Sequence, residues 1–299
     1  QGSLLNVIDR TVTGAGARLL VNRLSQPLTD PERISRRLDA VQFFIEDDNA
    51  RFDLRKVLVT TPDVARALSR LTVGRGGPRD LAAVRDGLKA AEIIAARITD
   101  SSALSLPKNL ADAQGDLTGH KHCINRLTEA LSDDLPLLAR DGGFIRPDYN
   151  ANLDNLVLLR DKSRQHIAAL QTRYVSDTTL VGLKIKHNNV LGYFIELPTK
   201  QAEKLPTGGE SPYIHRQTMA NAMRFSTVEL SDLEGQLLKA AERALALEIT
   251  LFEDLVAEVC LDANNISRCA DALAAVDVMT ALAELASTRR YVRPEIDSS

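Results

Sequence analysis

Apolar residues along this chain return mostly at helical spacing. From Arg79 to Ile98, Leu81, Val84, Leu88, Ala91 and Ala95 fall on one helical face, which predicts a helix. Asp30-Pro31-Glu32 and Thr61-Pro62-Asp63 each set a capping side chain before a proline at the first helical position, where its missing N–H costs nothing. Leu104 to Pro107, followed by Gly115 and Gly119, predicts a break between helices. Two stretches are longer. After Asp148, expected as an N-cap, no Pro or Gly occurs until beyond Ser176, and Tyr149, Leu153, Leu156, Ile167, Leu170 and Tyr174 keep helical spacing. From Ser226 to about Cys260 only Gly235 interrupts a stripe of Leu230, Leu233, Leu237, Ala241, Leu245, Phe252, Leu255 and Val259. Ser226-Thr227-Val228-Glu229 has the form of a capping box, in which Ser and Glu satisfy free N–H groups at a helix start. At 1.5 Å per residue these helices span roughly 40 and 50 Å. Their narrow apolar seams predict an antiparallel, coiled-coil-like pair.

Between them the period changes to two. Leu183-Lys184-Ile185-Lys186-His187 alternates apolar and basic residues, Asn188-Asn189 offers a turn in which Asn takes positive φ, and Val190 to Leu197 forms a second extended run. Pro198, Pro206, Gly208, Gly209 and Pro212 mark loops, and Tyr213 to Phe225 supplies a further strand or an irregular segment. The predicted fold is mainly α: a helical core with two long antiparallel helices and a small β module inserted at their tip. The divisions fall at 1–148 for the first part of the core, 149–176 for the first long helix and 177–225 for the β module. The second long helix takes 226–260 and the last part of the core 261–299.

Composition agrees with this pattern. Hydrophobic residues make up 44% and charged residues 26% of the 299, aromatics only 4%, and there is no Trp, a bias toward helices over large sheets. No apolar run approaches the roughly 20 residues that span a bilayer. Cys123, Cys260 and Cys269 form no CxxC pair, which points to a reducing, cytoplasmic setting. An opening Gln1-Gly2-Ser3 without Met suggests a piece of a longer chain.

The net charge of −3 is unevenly distributed. Gly182 to Arg224 holds Lys184, Lys186, Lys200, Lys204, Arg216 and Arg224 against Glu196, Glu203 and Glu210, about +3 locally, which leaves −6 for the rest. Asn188, Asn189, Gln217, Thr218 and Asn221 add neutral donors, and His187 and His215 lie in the same segment. Such mixtures bind phosphate backbones, cations displacing counterions while amides and hydroxyls fix the register. Lys184 and Lys186, two apart on a strand, share a face. Lysines on a solvated edge strand also deter aggregation, so charge alone leaves both readings open.

Other constellations carry less. His120-Lys121-His122-Cys123 offers three metal-ligand types but no fourth, so no metal site is expected. Gly14-Ala15-Gly16 lacks the preceding strand of a dinucleotide fold and reads as a helix boundary. No nucleophile elbow occurs, and no catalytic residue is assigned.

Several of these segments together resemble one family. Asp9-Arg10-Thr11-Val12-Thr13-Gly14-Ala15-Gly16-Ala17-Arg18-Leu19-Leu20, Pro27-Leu28-Thr29-Asp30 with Ile34 to Val41, and Pro78-Arg79-Asp80-Leu81 are similar to the core domain of MutS-type DNA mismatch repair proteins. Arg140-Asp141-Gly142-Gly143-Phe144-Ile145 and Tyr149-Asn150-Ala151-Asn152-Leu153-Asp154 resemble the entry to its first lever helix. Leu183-Lys184-Ile185, Asn188, Gly192-Tyr193-Phe194-Ile195 and Arg216-Gln217-Thr218-Met219-Ala220-Asn221 resemble its clamp, with Phe225 and Glu229-Leu230 leading into the returning lever.

The resemblance implies a core, two levers and a β clamp that grips duplex DNA by its backbone. It also implies a full-length DNA-dependent ATPase that binds ATP or ADP with Mg, forms a homodimer, meets mismatch repair partner proteins and needs no membrane. The family's mismatch-reading Phe-x-Glu belongs to an N-terminal domain, and no G-x-x-x-x-G-K-[ST] phosphate loop occurs in these residues, so neither site transfers and no cofactor or enzymatic activity is expected in this region. The candidate DNA-facing residues are Lys184, Lys186, His187, Asn188, Asn189, Tyr193, Arg216, Thr218, Asn221 and Arg224. The rival reading is a helical scaffold that binds another protein and has no nucleic-acid role.

Overall fold

The computed structural model describes residues 2–100, 105–205 and 211–297. Leu104, Pro206, Gly208 and Gly209, expected at breaks and loops, lie outside the described residues. Helices α1 (Leu4–Ile8), α2 (Gly14–Ser25), α3 (Pro31–Glu46), α4 (Asp48–Thr60), α5 (Val64–Thr72), α6 (Pro78–Asp100), α7 (Lys108–Asp116) and α8 (Lys121–Ala130) precede a long α9 (Ala151–Thr178). Strands β1 (Lys184–Asn188) and β2 (Gly192–Pro198), the one-turn α10 (Thr199–Ala202), and β3 (Ile214–Thr218) and β4 (Ala222–Ser226) follow. The chain closes with α11 (Val228–Leu261) and α12 (Ala263–Arg289). It is mainly α with a small antiparallel sheet, the predicted class. Two compact units result, Gln1–Arg146 with Leu251–Ser299, and Pro147–Thr250.

In the first unit α12 packs against α2, α3, α4, α5, α6 and α7. A helix surrounded in this way must be apolar or small on every side. Ile266, Cys269, Ala270, Leu273, Val276, Met279 and Ala283 of α12 are all buried. Thr280 and Asp277 are buried polar exceptions, and Asp277 is the acidic one. Its carboxylate accepts hydrogen bonds from the Val12 N–H (3.0 Å), the Thr13 N–H (2.8 Å) and the Thr13 hydroxyl (2.6 Å), so it binds the N-terminus of α2. Gly16 lies so close that a Cβ there would come within 2.2 Å of Asp277 Oδ2. The Gly14-Ala15-Gly16 segment is thus the first turn of a helix seated on another helix.

In the second unit the inner face of the sheet carries the core. Ile195, Leu197 and Phe225 pack with Ile167, Leu170 and Tyr174 of α9 and Leu230 and Leu237 of α11. The Tyr174 and Thr227 hydroxyls meet at 2.7 Å, and Arg173 pairs with Glu229, so the two helices run antiparallel here. Three cap assignments change, one of them in the first unit, where Asp63 and not Thr61 caps α5 by accepting from the Arg66 N–H at 3.2 Å, so Pro62 stands before the helix and not at its first position. Asn150, not Asp148, caps α9, accepting from the N–H groups of Asn152 (3.0 Å) and Leu153 (3.1 Å). Asp148 instead has φ +67°, with its N–H on Asp154. Thr227, not Ser226, caps α11 by accepting from the Leu230 N–H at 3.0 Å, and Glu229 is drawn to Arg173 rather than back to the cap.

The residues of the predicted α9 stripe turn inward, Leu156 half-buried among them. On α9, Leu153, Ile167, Leu170 and Tyr174 are buried, but Leu158 and Leu159 are 52% and 48% exposed. Four successive apolar residues, Leu156 to Leu159, spread around the helix circumference, so they cannot all face one partner.

Candidate nucleic-acid interface

Among the described residues the sheet has the order β1-β2-β4-β3, all antiparallel. It therefore consists of two hairpins, with β1 and β3 as edges. The segment from Tyr213 to Phe225 resolves into the second hairpin. Register assigns the faces, because residues directly opposite project to the same side. Lys184 faces Glu196, Lys186 faces Phe194, and Glu196 faces Arg224 across the next pair. Lys184, Lys186, Glu196 and Arg224 therefore share the outer face. Ile185, Ile195, Leu197 and Phe225 project to the inner one.

Helix side chains fix this sheet at two strand N–H groups. Gln171 Oε1 of α9 accepts from the Ile185 N–H at 2.7 Å, and Glu234 Oε1 of α11 accepts from the Tyr193 N–H at 2.9 Å. The first turn differs from the expected Asn-Asn geometry. Asn188 Oδ1 accepts from the N–H groups of Val190 (2.9 Å) and Leu191 (2.8 Å), and Gly192, at φ +67°, supplies the positive φ. A Cβ on Gly192 would lie 2.0 Å from Glu234 Oε1, so glycine is required twice over.

The ten predicted residues fall in five places. Lys184, Lys186 and Arg224 line up on the outer face. His187 and Tyr193 oppose each other on the other face, ring centroids 4.8 Å apart. Asn188 and Asn189 belong to the first turn, whereas Thr218 and Asn221 flank the second. Since Asn188 pairs with Gly192 at one end of β2 and Ala222 pairs with Pro198 at the other, the two turns lie roughly 20 Å apart along the strands. Arg216 occupies the irregularity between His215 and Gln217 in β3 and is exposed, while Thr218 bonds through its hydroxyl to His215 Nε2 at 2.9 Å.

The outer face is not uniformly cationic. Glu196 Oε1 lies 2.6 Å from Lys186 Nζ, and its Oε2 lies 3.2 Å from Arg224 Nε. Arg224 Nη1 donates to Gln217 Oε1 at 3.0 Å, and its guanidinium carbon stands 4.5 Å from the centre of the Phe194 ring. The Lys186 ammonium holds the Glu196 carboxyl below the usual carboxylate range, with Arg224 adding to the effect against the opposing push of burial. Lys184 and Arg216, on the two edge strands, are exposed and make no ion pair among the described residues. Glu196 entered the charge count only as one acid among three, which said nothing of the two cations it holds. Its place between Ile195 and Leu197 in a period-two run did encode its outward direction.

Elsewhere, burial pushes the Cys123 thiol up to about 11 and the Cys269 thiol up to about 12, so neither is a poised nucleophile. His120 Nε2 lies 3.2 Å from the Asp116 carbonyl oxygen. No group of three or more metal-ligating side chains gathers among the described residues, and none of their helices is long and apolar enough to cross a membrane.

A helical protein interrupted by one small sheet, with cations and amides along that sheet's outer face and turns, is the class defined by fold and site. The family model of MutS domain III matches residues 1–283, and the chain belongs to that family. It is 49% identical over 301 residues to the DNA mismatch repair protein MutS of Rhodopseudomonas palustris (strain BisA53), and 48% identical to proteins of the same name from Bartonella henselae and Rhizobium meliloti (strain 1021). In each case the match covers 100% of this chain and 33% of the relative, so the chain spans about a third of the length of these curated relatives.

Proposed function

We propose that the β module is a clamp that holds the sugar–phosphate backbone of duplex DNA without reading sequence, as one region of a MutS-type mismatch repair protein. The longer protein would be a homodimer with mismatch repair partner proteins, working in the cytoplasm. α9 and α11 would link the clamp to an ATPase domain of that protein, which would bind ATP or ADP with Mg. This region itself would hold no cofactor and perform no catalysis.

The observation that carries the reading is the pair of exposed cations Lys184 and Arg216, without an ion pair among the described residues, on opposite edge strands, with Lys186, Arg224 and the amides of Gln217 and Asn221 between and beside them. Contacts of this kind position a protein on DNA and carry no base information, and the candidate residues lie on strands and turns and not on a helix that could enter the major groove. The relatives' printed name, DNA mismatch repair protein, supports the same reading.

Fluorescence anisotropy with a labelled duplex tests it. If about three to five phosphates are neutralised, log K falls against log salt with a slope of about −3 to −4, and a mismatched duplex binds as well as a matched one. A slope near zero, or a strong preference for the mismatch, contradicts the reading.

A further inference from the structure

The Lys186–Glu196–Arg224 triad has a geometry that general charge counting does not predict. Two cations from the strands on either side of β2 converge on one carboxylate, the ammonium at 2.6 Å and the guanidinium at 3.2 Å. Arg224 is further held by Gln217 Oε1 and by its place over the Phe194 ring, so its guanidinium is fixed before any partner arrives. Lys186 remains half exposed, its side chain retaining 50% of its accessible surface. A carboxylate and a phosphodiester present the same chemistry to such a pair: two anionic oxygens that accept charge-assisted hydrogen bonds.

We propose that Lys186 and Arg224 form a binding site for one DNA phosphate, which Glu196 occupies as an internal counter-anion and releases when the phosphate displaces it. The proposal rests on the backbone-clamp reading above and adds to it which cations are free at first encounter and which are held in reserve. Lys184 and Arg216 make the first contacts. Lys186 and Arg224 contribute only after exchange, so the wild-type protein binds more weakly, and with a flatter salt response, than its cations would allow. Glu196 touches the site and not the mismatch, and its effect is equal for matched and mismatched duplex.

The test compares Glu196→Gln with Glu203→Gln, which removes one charge from an exposed residue of the same unit that holds no cation among the described residues. With a duplex probe at about 0.1 M salt, E196Q binds about 3- to 10-fold more tightly than wild type, and its log–log salt slope steepens by about 1 to 2. E203Q changes affinity less than about 2-fold. A Lys186→Ala change then costs several-fold in the E196Q background and little in the wild-type one. Equal gains in E196Q and E203Q, or weaker binding by an E196Q protein that melts normally, overturn the proposal. Should E196Q fold poorly, the wild-type protein decides: the Glu196 carboxylate carbon resonance shifts as duplex is added if the carboxylate is displaced, and stays fixed if it is not. Failure of the clamp reading looks different, because then neither wild type nor E196Q binds duplex.

Discussion

Single residues decide where charge sits on this protein and at what cost. Glu196 is stabilised as an anion by Lys186 and Arg224, so its pKa is lower in the folded state than in the unfolded chain. A group with a depressed folded pKa contributes stability above its unfolded pKa, near 4.3 for Glu, and loses that contribution as pH falls through the folded value. Urea unfolding of wild type and E196Q across pH therefore shows a gap in favour of wild type above the unfolded value that closes as pH falls through the folded one. A gap that widened on acidification would contradict the ion-triad account. The triad also marks a limit of sequence reading. The alternation of Lys184, Lys186 and Glu196 with apolar neighbours gave the face, but pairing needs the strand register, which the sequence does not state.

Elements were more legible than their ends. The long helices, the first hairpin and the helical class followed from periodicity, since burial imposes that period directly. The caps shifted by one or two residues, because Asp148 and Asn150, or Ser226 and Thr227, are chemically equivalent candidates and only the surrounding packing selects one. Tyr174 makes that selection at α11 by placing its hydroxyl against Thr227. The α9 stripe was legible in the same way as the helices, its Leu153, Ile167, Leu170 and Tyr174 all buried.

The first turn shows the same competition, with Gly192 rather than Asn taking positive φ because Glu234 fills the space a Cβ would need. Gly192→Ala should cost about 1–2 kcal/mol from the left-handed backbone alone, and more from the displaced Glu234 carboxylate. Urea unfolding measures the total, and loss of the Tyr193 amide's protection from hydrogen exchange reports whether the hairpin has left α11. A variant as stable as wild type, with that amide still protected, would show that the turn does not depend on glycine.

At the scale of the whole molecule, the family, the helical class and the position of the insertion were all present in the order of motifs, and the family match over residues 1–283 agrees. Less legible was how the ten candidate residues divide. Register separates them into an outer row, an opposed His187–Tyr193 pair, two turns at opposite ends of β2 and Arg216 in the β3 irregularity. Even Asp277, whose carboxylate joins α12 to α2, carried no visible signal, since a lone Asp in an apolar helix looks like a solvated residue until its partners are known.

The central claim is that DNA is held at the β module and by its exposed cations Lys184 and Arg216. The most direct measurement compares duplex binding by Lys184→Glu/Arg216→Glu with binding by Arg75→Glu/Lys121→Glu, all four residues being exposed and without an ion pair among the described residues. Both variants change the net charge by the same amount, so general repulsion is matched and only position differs. The clamp variant should lose about tenfold or more in affinity and flatten the salt slope by about 2, whereas the control should lose far less. Equal losses in the two variants would mean that the β module is not the site.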